Sequence, residues 1–461
     1  MDLFRKKDIN SLADCDTHLL RCLSAFDLTF LGVGAIIGAG IFVLTGIVAA
    51  TQTGPAIVFS YIVAGLACGF SALSYAELAA SIGGCGSAYG YAYAGFGELI
   101  AWIVGWDLLL EYSIAVSAVS VGWSSYFNDL LLALKIHLPN VLLHGPVDGG
   151  VVNLLAMSVI GGLSCLLILG VKSSSRFNNA MVLVKLLVIG LFIIIASIEV
   201  DTNNWVPFSP FGWAGTMKGA SLIFFAYVGF DAVSTAAEEA INPQRDLPIG
   251  IISSLVICTL LYIVVSGLLT GIVHYPKLNV ASPISHSLLI LGHKVAAGMI
   301  GVGAIAGLTT VMLVLFYGLT RVFFAMARDG LLPQFFAVTH VKTRTPIRII
   351  VLCGFLMASV SALVPIGDLA ELVNIGTLFA FIIVCSGVLV LRYTNPDLPR
   401  PFKTPFMPYV PILGIISCAY LIANLPWMTM LRFVIWMVLG VVVYFLFSRG
   451  NSNLILKQVN E

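Results

Sequence analysis

The chain has 461 residues, 59% of them hydrophobic and only 10% charged, with a mean hydropathy of +1.03. That balance excludes a soluble globular domain and reads as an all-α polytopic membrane protein in a lipid bilayer. A net charge of +1 gives no reason to expect nucleic acid or an acidic partner, and nine scattered cysteines without a CxxC pair read as small apolar side chains rather than metal ligands or disulfides.

Twelve apolar segments follow one another at roughly 27–50, 54–82, 98–127, 151–170, 175–198, 217–240, 249–272, 296–327, 346–364, 368–391, 408–425 and 431–449. An even number puts both termini on one side. With the termini inside, sixteen lysines and arginines fall on the inner face against five on the outer, with Lys185 and Arg321 inside spans. The positive-inside bias therefore predicts a multi-pass protein of the cell membrane with cytoplasmic termini. The chain divides into a tail (1–24), a first block of five spans (25–198), a second block of five (217–391), a last pair (406–449) and a second tail (450–461). The two five-span blocks are nearly equal in length. Five is odd, so the second block lies inverted relative to the first, and each should open with a matching interrupted helix.

The first segment holds that interruption: Gly32 to Gly46 reads GVGAIIGAGIFVLTG. Gly38-Ala39-Gly40 falls mid-span, where glycine weakens a helix. An unwound stretch there frees carbonyls near Ile37 and amides near Gly40, tolerated at membrane depth only beside a cavity or ligand. A helix N-terminus attracts a carboxylate and free carbonyls attract a cation, so one break offers both poles for a zwitterion. Gly34-x-x-x-Gly38 equally suits close helix packing. The sixth segment carries FFAYVGFD at 224–231, with Gly229 and Asp231 amid apolar residues. Asp231 is a candidate cap for a second half-helix or part of an inner gate.

Each charge inside a span needs a reason, because it costs about 2.5–3.5 kcal/mol at a helix centre. Lys185 lies nine residues beyond Arg176, roughly 13 Å along a helix and too deep for easy snorkelling. Desolvation disfavours an ammonium, so Lys185 is a candidate to load and unload a proton; the alternative is a static pair with a buried carboxylate. Glu111 and Asp107 share one face of the third segment. Glu111 has three open roles: facing the substrate side chain, partnering Lys185, or holding water. Thr309 and Thr310 are placed to offer hydroxyls opposite the unwound part of span one. Glu238 and Glu239 read as inner-surface residues, and Arg321, Arg328 and Asp329 as a solvated helix end or gate pairs. The run Asn242 to Pro248 reads as a turn that prolines keep from being helical. The stretch 282–294 reads as a small surface helix capped by Ser282. No nucleotide-binding, hydrolase or metal motif is present, so no enzyme is expected.

GAIIGAGIFVLTG in span one, FFAYVGFDAVSTAAEEAINPQRDLPIGI through span six and NIGTLFAF at 374–381 resemble the cationic amino acid transporter family of the amino acid–polyamine–organocation superfamily, and its bacterial proton-coupled members in particular. The resemblance runs from Leu23 to Phe447. It implies a leucine-transporter-type fold, a 5+5 inverted repeat with discontinuous helices 1 and 6. It places the amides of Ala39, Gly40 and Ile41 on a substrate carboxylate, and the carbonyls of Ile36, Ile37, Phe225 and Ala226 on its amino group. Phe225 would also gate the site, Lys185 would stand where a sodium ion sits in other relatives, and Glu111 would lie near the side-chain pocket. Two departures stand out. Ala39 replaces the hydroxyl residue of the family's Gly-Ser/Thr-Gly, and Leu315 and Phe316 would shorten the pocket.

The reading is thus a proton-coupled symporter taking up a neutral or cationic L-amino acid by alternating access. It needs no cofactor beyond the proton, and works as a monomer with room for a small membrane-protein partner. Its rivals are an exchanger or sodium symporter on the same fold, and a sensor that binds without transport.

Overall fold

The computed structural model describes residues 5–6, 21–82, 87–133, 135–146, 149–280, 282–364 and 366–453. Most of the two expected tails therefore lies outside the described residues. The described residues form helices joined by turns and irregular loops, with an isolated bridge between Leu23 and Ala240. Seven stretches are long and apolar enough to cross a bilayer: Ala25–Ile82, Glu98–Leu132, Ser174–Ile198, Pro243–Ile272, Lys294–Arg328, Leu372–Thr394 and Trp427–Asn451. Three shorter apolar helices, Leu154–Ile168, Ile347–Leu363 and Tyr409–Ala423, accompany them. The first stretch contains two of the expected spans, separated at Gly54, whose φ of +63° turns the chain. The expected sixth span is missing from the set because it is broken into short pieces.

In chain order the helices are α1 (Ala25–Ile36), α2 (Thr45–Val48), α3 (Ile57–Ile82), α4 (Ser87–Gly95), α5 (Glu98–Ala133), α6 (Leu154–Ile168), α7 (Val171–Ile198), α8 (Gly212–Ile223), α9 (Ala232–Thr235), α10 (Pro243–Ile272), α11 (Pro283–Ile290), α12 (Lys294–Arg328), α13 (Ile347–Leu363), α14 (Ile366–Thr394), α15 (Tyr409–Ala423), α16 (Trp427–Val443) and α17 (Arg449–Asn451). At the centre α12 packs on α5, α7 and α1, while α10 packs on α1 and α3. Small residues permit the close contacts. A Cβ at Gly32 would meet the Ser254 hydroxyl of α10 at 2.4 Å, and one at Gly34 would meet Asn178 Oδ1 of α7 at 2.6 Å. Helix α1 starts on a capping box, Ser24 with Asp27. Asp27 also accepts from Asn179 of α7 at 2.8 Å.

Three local expectations are corrected. Pro243 and Pro248 do not prevent a helix: α10 begins at Pro243, where the missing N–H is an orphan donor anyway, and it carries Pro248 in its second turn. Ser282 precedes α11 but its side chain makes no capping bond, and Pro283, Ile284, Ser287 and Leu288 are buried, so that helix is a packed element rather than a surface one. Helix α4 was not anticipated, because its alternating small and tyrosine residues carry little helical periodicity.

Arg5, Leu23 and Ser452 all lie at one end of the bundle, here called the terminal end. The Arg5 carbonyl accepts from the Glu98 amide at 3.0 Å, and Glu98 Oε2 accepts from Ser452 at 2.6 Å.

Candidate functional site

Helix α1 ends at Ile36. Ile37 is extended (φ −77°, ψ 99°), and the chain resumes winding at Ala39 into a π-helical turn over Gly40–Leu44. The amides of Ala39, Gly40 and Ile41 precede the first backbone hydrogen bond of the second half, from Phe42 to the Gly38 carbonyl at 3.2 Å. Both readings of the glycine run are realised: Gly32 and Gly34 pack helices together, while Gly38 to Gly40 open the helix. The second broken element mirrors the first. Helix α8 tightens into a 3-10 turn at Phe224–Tyr227, Val228 is extended, and Gly229 adopts φ +116° before α9. Only glycine takes that conformation without strain, and a Cβ there would also meet Ala35 Cβ at 2.8 Å.

The two breaks lie against each other. A Cβ at Gly40 would fall 2.2 Å from the Cβ of Ala226 and 2.4 Å from its Cα. Ile36, Ile37, Ala39, Gly40, Ile41, Phe225 and Ala226 are therefore one cluster, and all are buried. The carbonyls are less free than the sequence suggested. Tyr262 of α10 directs its hydroxyl at the Ile36 carbonyl (2.7 Å) and the Ala226 carbonyl (2.8 Å), bridging the breaks. The Phe225 carbonyl accepts from Val228 N–H at 3.3 Å. Tyr126 donates to the Phe42 carbonyl at 2.7 Å, and Tyr61 and Thr45 reach that of Gly40. Each carbonyl keeps a second lone pair.

Lys185 is fully buried, and its ammonium sits on the carbonyl end of α1. Nζ lies 2.9 Å from the Val33 carbonyl, 3.0 Å from those of Gly34 and Ile37, and 3.0 Å from Thr310 Oγ1. These acceptors include no carboxylate, so the static ion pair considered from sequence is not formed. The hydroxyl of Thr310 also bridges to the Gly34 carbonyl at 3.0 Å. Thr309 does not join this group. It donates to the Ile305 carbonyl and accepts from Trp123 of α5 at 2.9 Å, because one residue turns a helical side chain by about 100°.

Two further side chains do not join the Lys185 cluster. Glu111 receives the Thr377 hydroxyl of α14 at 2.6 Å, leaving Oε2 without a partner, and it does not contact Lys185. The ring of Phe316 projects toward α13, where a Cβ at Gly354 would meet it at 3.4 Å, rather than into the gap between the breaks. Asp231 caps nothing with its side chain; it accepts from Tyr112 at 2.5 Å. Tyr262, Tyr126 and Tyr112 escaped the sequence reading because a tyrosine in an apolar span looks like any core aromatic.

At the terminal end Glu239 and Arg321 are buried and paired at 2.7 Å, with Tyr317 donating to the same carboxylate, and Arg328 pairs with Glu238 at 2.9 Å. Of the two readings of Arg321 and Arg328, a solvated helix end or paired charges, the second is the one seen, in a polar seam between α12 and the second broken element that also buries Glu238 and Glu239. Their spacing hid this, since charges at a helix terminus usually meet water. Glu77 anchors a separate corner, accepting from Arg392 at 2.7 and 2.9 Å and from Thr404 N–H at 2.7 Å.

Residues 23–447 match the family model described as amino acid permease. Two Bacillus subtilis proteins are similar over nearly the whole length. The branched-chain amino acid permease BcaP is 51% identical over 98% of this chain and 99% of its own. A methylthioribose transporter is 50% identical over 98% of each chain. The vacuolar cationic amino acid transporter 4 of Arabidopsis thaliana is 39% identical over 86% of this chain and 68% of its own.

Proposed function

The chain belongs to the amino acid permease family, and from that premise we propose that it is a proton-coupled symporter of neutral L-amino acids, working by alternating access. Membership makes it a multi-pass membrane transporter rather than an enzyme, and the resemblance to cationic amino acid transporters holds at the level of more distant relatives. In the proposed arrangement twelve spans form a 5+5 inverted repeat plus a final pair, with both termini cytoplasmic, so that the terminal end is the inner face.

The observation that carries the reading is the facing pair of helix breaks with Lys185 seated on the carbonyls of one of them. The amides of Ala39, Gly40 and Ile41 would take the substrate carboxylate, as a helix N-terminus does. The carbonyls of Ile36 and Ala226 would take its ammonium, displacing the Tyr262 hydroxyl. A hydroxyl has one proton for two carbonyls, whereas an ammonium satisfies both. Lys185 would bind its proton while its carbonyl cradle is intact and release it when α1 moves away. An ammonium already occupying that position argues against sodium. A neutral substrate is favoured by the apolar residues around the breaks and by the similarity to a branched-chain amino acid permease.

The second reading is uptake of a neutral thiosugar, favoured by the 50% identity to a methylthioribose transporter. Such a substrate has no carboxylate and no ammonium, so it would leave the two poles unmatched. The test is uptake into proteoliposomes of leucine, valine, alanine, arginine and methylthioribose, with and without an inward proton gradient at fixed sodium. Gradient-driven accumulation of a neutral amino acid is expected, and Lys185→Ala is expected to fold yet lose it. Full accumulation by Lys185→Ala would reject Lys185 as the coupling group.

A further inference from the structure

We propose that α5 carries two hydroxyl latches on opposite sides of the helix breaks, released in turn during transport. Tyr126 holds the half of span one that leads away from the terminal end, and Tyr112 holds the half of the second broken element that leads toward it. This rests on the alternating-access reading above and names contacts that make and break within it.

The two bonds are alike in build and opposite in place. Tyr126 donates to the Phe42 carbonyl at 2.7 Å, and Tyr112 to Asp231 Oδ2 at 2.5 Å. Both tyrosines are buried. From 112 to 126 the helix rises about 21 Å and turns to within about 40° of its starting direction, so one face of α5 carries both. Phe42 follows the break at Gly38 to Gly40, in the half of span one that runs to the turn at Gly54. Asp231 follows the break at Val228 and Gly229, in the half that runs to Ala240, which bridges to Leu23 at the terminal end. One helix thus grips each broken element on a different side of its break.

At each grip α12 presents a glycine. A Cβ at Gly307 would meet the Phe42 ring at 2.9 Å, and one at Gly318 would meet the Tyr112 ring at 3.1 Å. A methyl group at either place would crowd the latched segment.

Other bonds reach the same halves, and they differ in what they join. Tyr61 and Thr45 meet the Gly40 carbonyl. Thr45 belongs to that half of span one, and Tyr61 to α3, which continues from it through Gly54, so both would move with it. Tyr126 instead comes from α5, which packs on α12 and α14. On the terminal side Tyr112 is joined by the Arg321–Glu239 and Arg328–Glu238 pairs from α12. Those pairs set how firmly that side starts closed. They do not change the factor that one hydroxyl contributes, which is about three-fold for an average interhelical hydrogen bond in a membrane protein.

The experiment compares Tyr126→Phe with Tyr112→Phe, each of which removes one oxygen. The leucine KM is measured in right-side-out and in inside-out membrane vesicles. A side that is open more of the time shows a lower apparent constant, whereas damage to packing does not lower KM on one side alone. Tyr126→Phe is expected to lower KM about three-fold in right-side-out vesicles and to leave it within about 1.5-fold in inside-out ones, and Tyr112→Phe to do the reverse. The same split with the sides exchanged would keep the latches and reverse the topology proposed above. A KM that falls in neither orientation, or rises alike in both, marks a packing role and would overturn the proposal. Amide hydrogen exchange of the purified protein reads the latches without substrate. Tyr126→Phe should raise exchange at 43–48 and not at 236–241, and Tyr112→Phe the opposite; both segments rising together in either variant would also overturn it. Wild-type vesicles that take up no leucine would remove the neutral amino acid reading, and the exchange pattern then decides the latches by itself. If one variant does not assemble, the other is read by the same criteria.

Discussion

Replacing Gly40 by alanine tests whether the two helix breaks form one site. The added methyl would lie 2.2 Å from Ala226 Cβ and 2.4 Å from Ala226 Cα, where carbon atoms normally rest about 3.5–4.0 Å apart. No rotamer relieves this, because the obstacle is backbone, so the two segments must part by more than about 1 Å. Overpacking of this kind costs about 1–3 kcal/mol. The Tyr262 bridge, now 2.7 and 2.8 Å long, stretches beyond hydrogen-bonding range with it. One interhelical hydrogen bond in a membrane protein contributes about 0.6–1.7 kcal/mol. Together the expected destabilisation is about 2–5 kcal/mol, and the same displacement misaligns the amide and carbonyl poles. Each 1.4 kcal/mol lost from binding weakens affinity about tenfold. Thermal unfolding in detergent reads the first effect and substrate titration the second. Adding Ala226→Gly removes one of the two clashing atoms and should rescue partially. A Gly40→Ala protein with wild-type melting and wild-type affinity would refute the apposition.

Tyr262→Phe is expected to lower stability by about 0.6–1.7 kcal/mol while leaving the fold intact, read by the same melting assay. If substrate displaces the hydroxyl, its affinity should fall less than the stability does. Glu239→Gln leaves Arg321 buried without its counter-charge and is expected to cost about 3–5 kcal/mol. The double variant Glu239→Leu with Arg321→Leu should be less damaging than either leucine change alone, which a double-mutant cycle on melting temperature measures.

The pieces of this molecule that were legible in the sequence are those written in glycine and in isolated charge. Gly38 to Gly40 and Gly229 marked the two breaks because mid-span glycine weakens a helix and the two runs open corresponding halves of the chain, and Lys185 stood out because lysine at that depth is costly. Hydrogen-bond partners were not legible. Nothing in the spacing of Tyr262 separates it from Tyr61 or Tyr75, yet only Tyr262 bridges both breaks. Glu239 read as a surface residue, and Arg321 was left between a solvated end and a pair, for a related reason: a charge near a helix end looks solvated until the partner helix is in place. Thr309 and Phe316 show the cost of reading positions without rotation, since each lies one residue from a side chain that faces a different helix.

The bridge between Leu23 and Ala240 has a consequence for how closure can be dissected. The amides of Cys22 and Leu23 both donate to the Glu239 carbonyl, and the Ile241 amide donates to the Leu23 carbonyl, at 2.8–2.9 Å. These stitches use main-chain atoms alone, so every ordinary side-chain replacement preserves them. A scan that swaps residues one at a time would pass over this fastening without a signal. Shortening the chain ahead of Ser24, or exchanging an amide for an ester, would expose it.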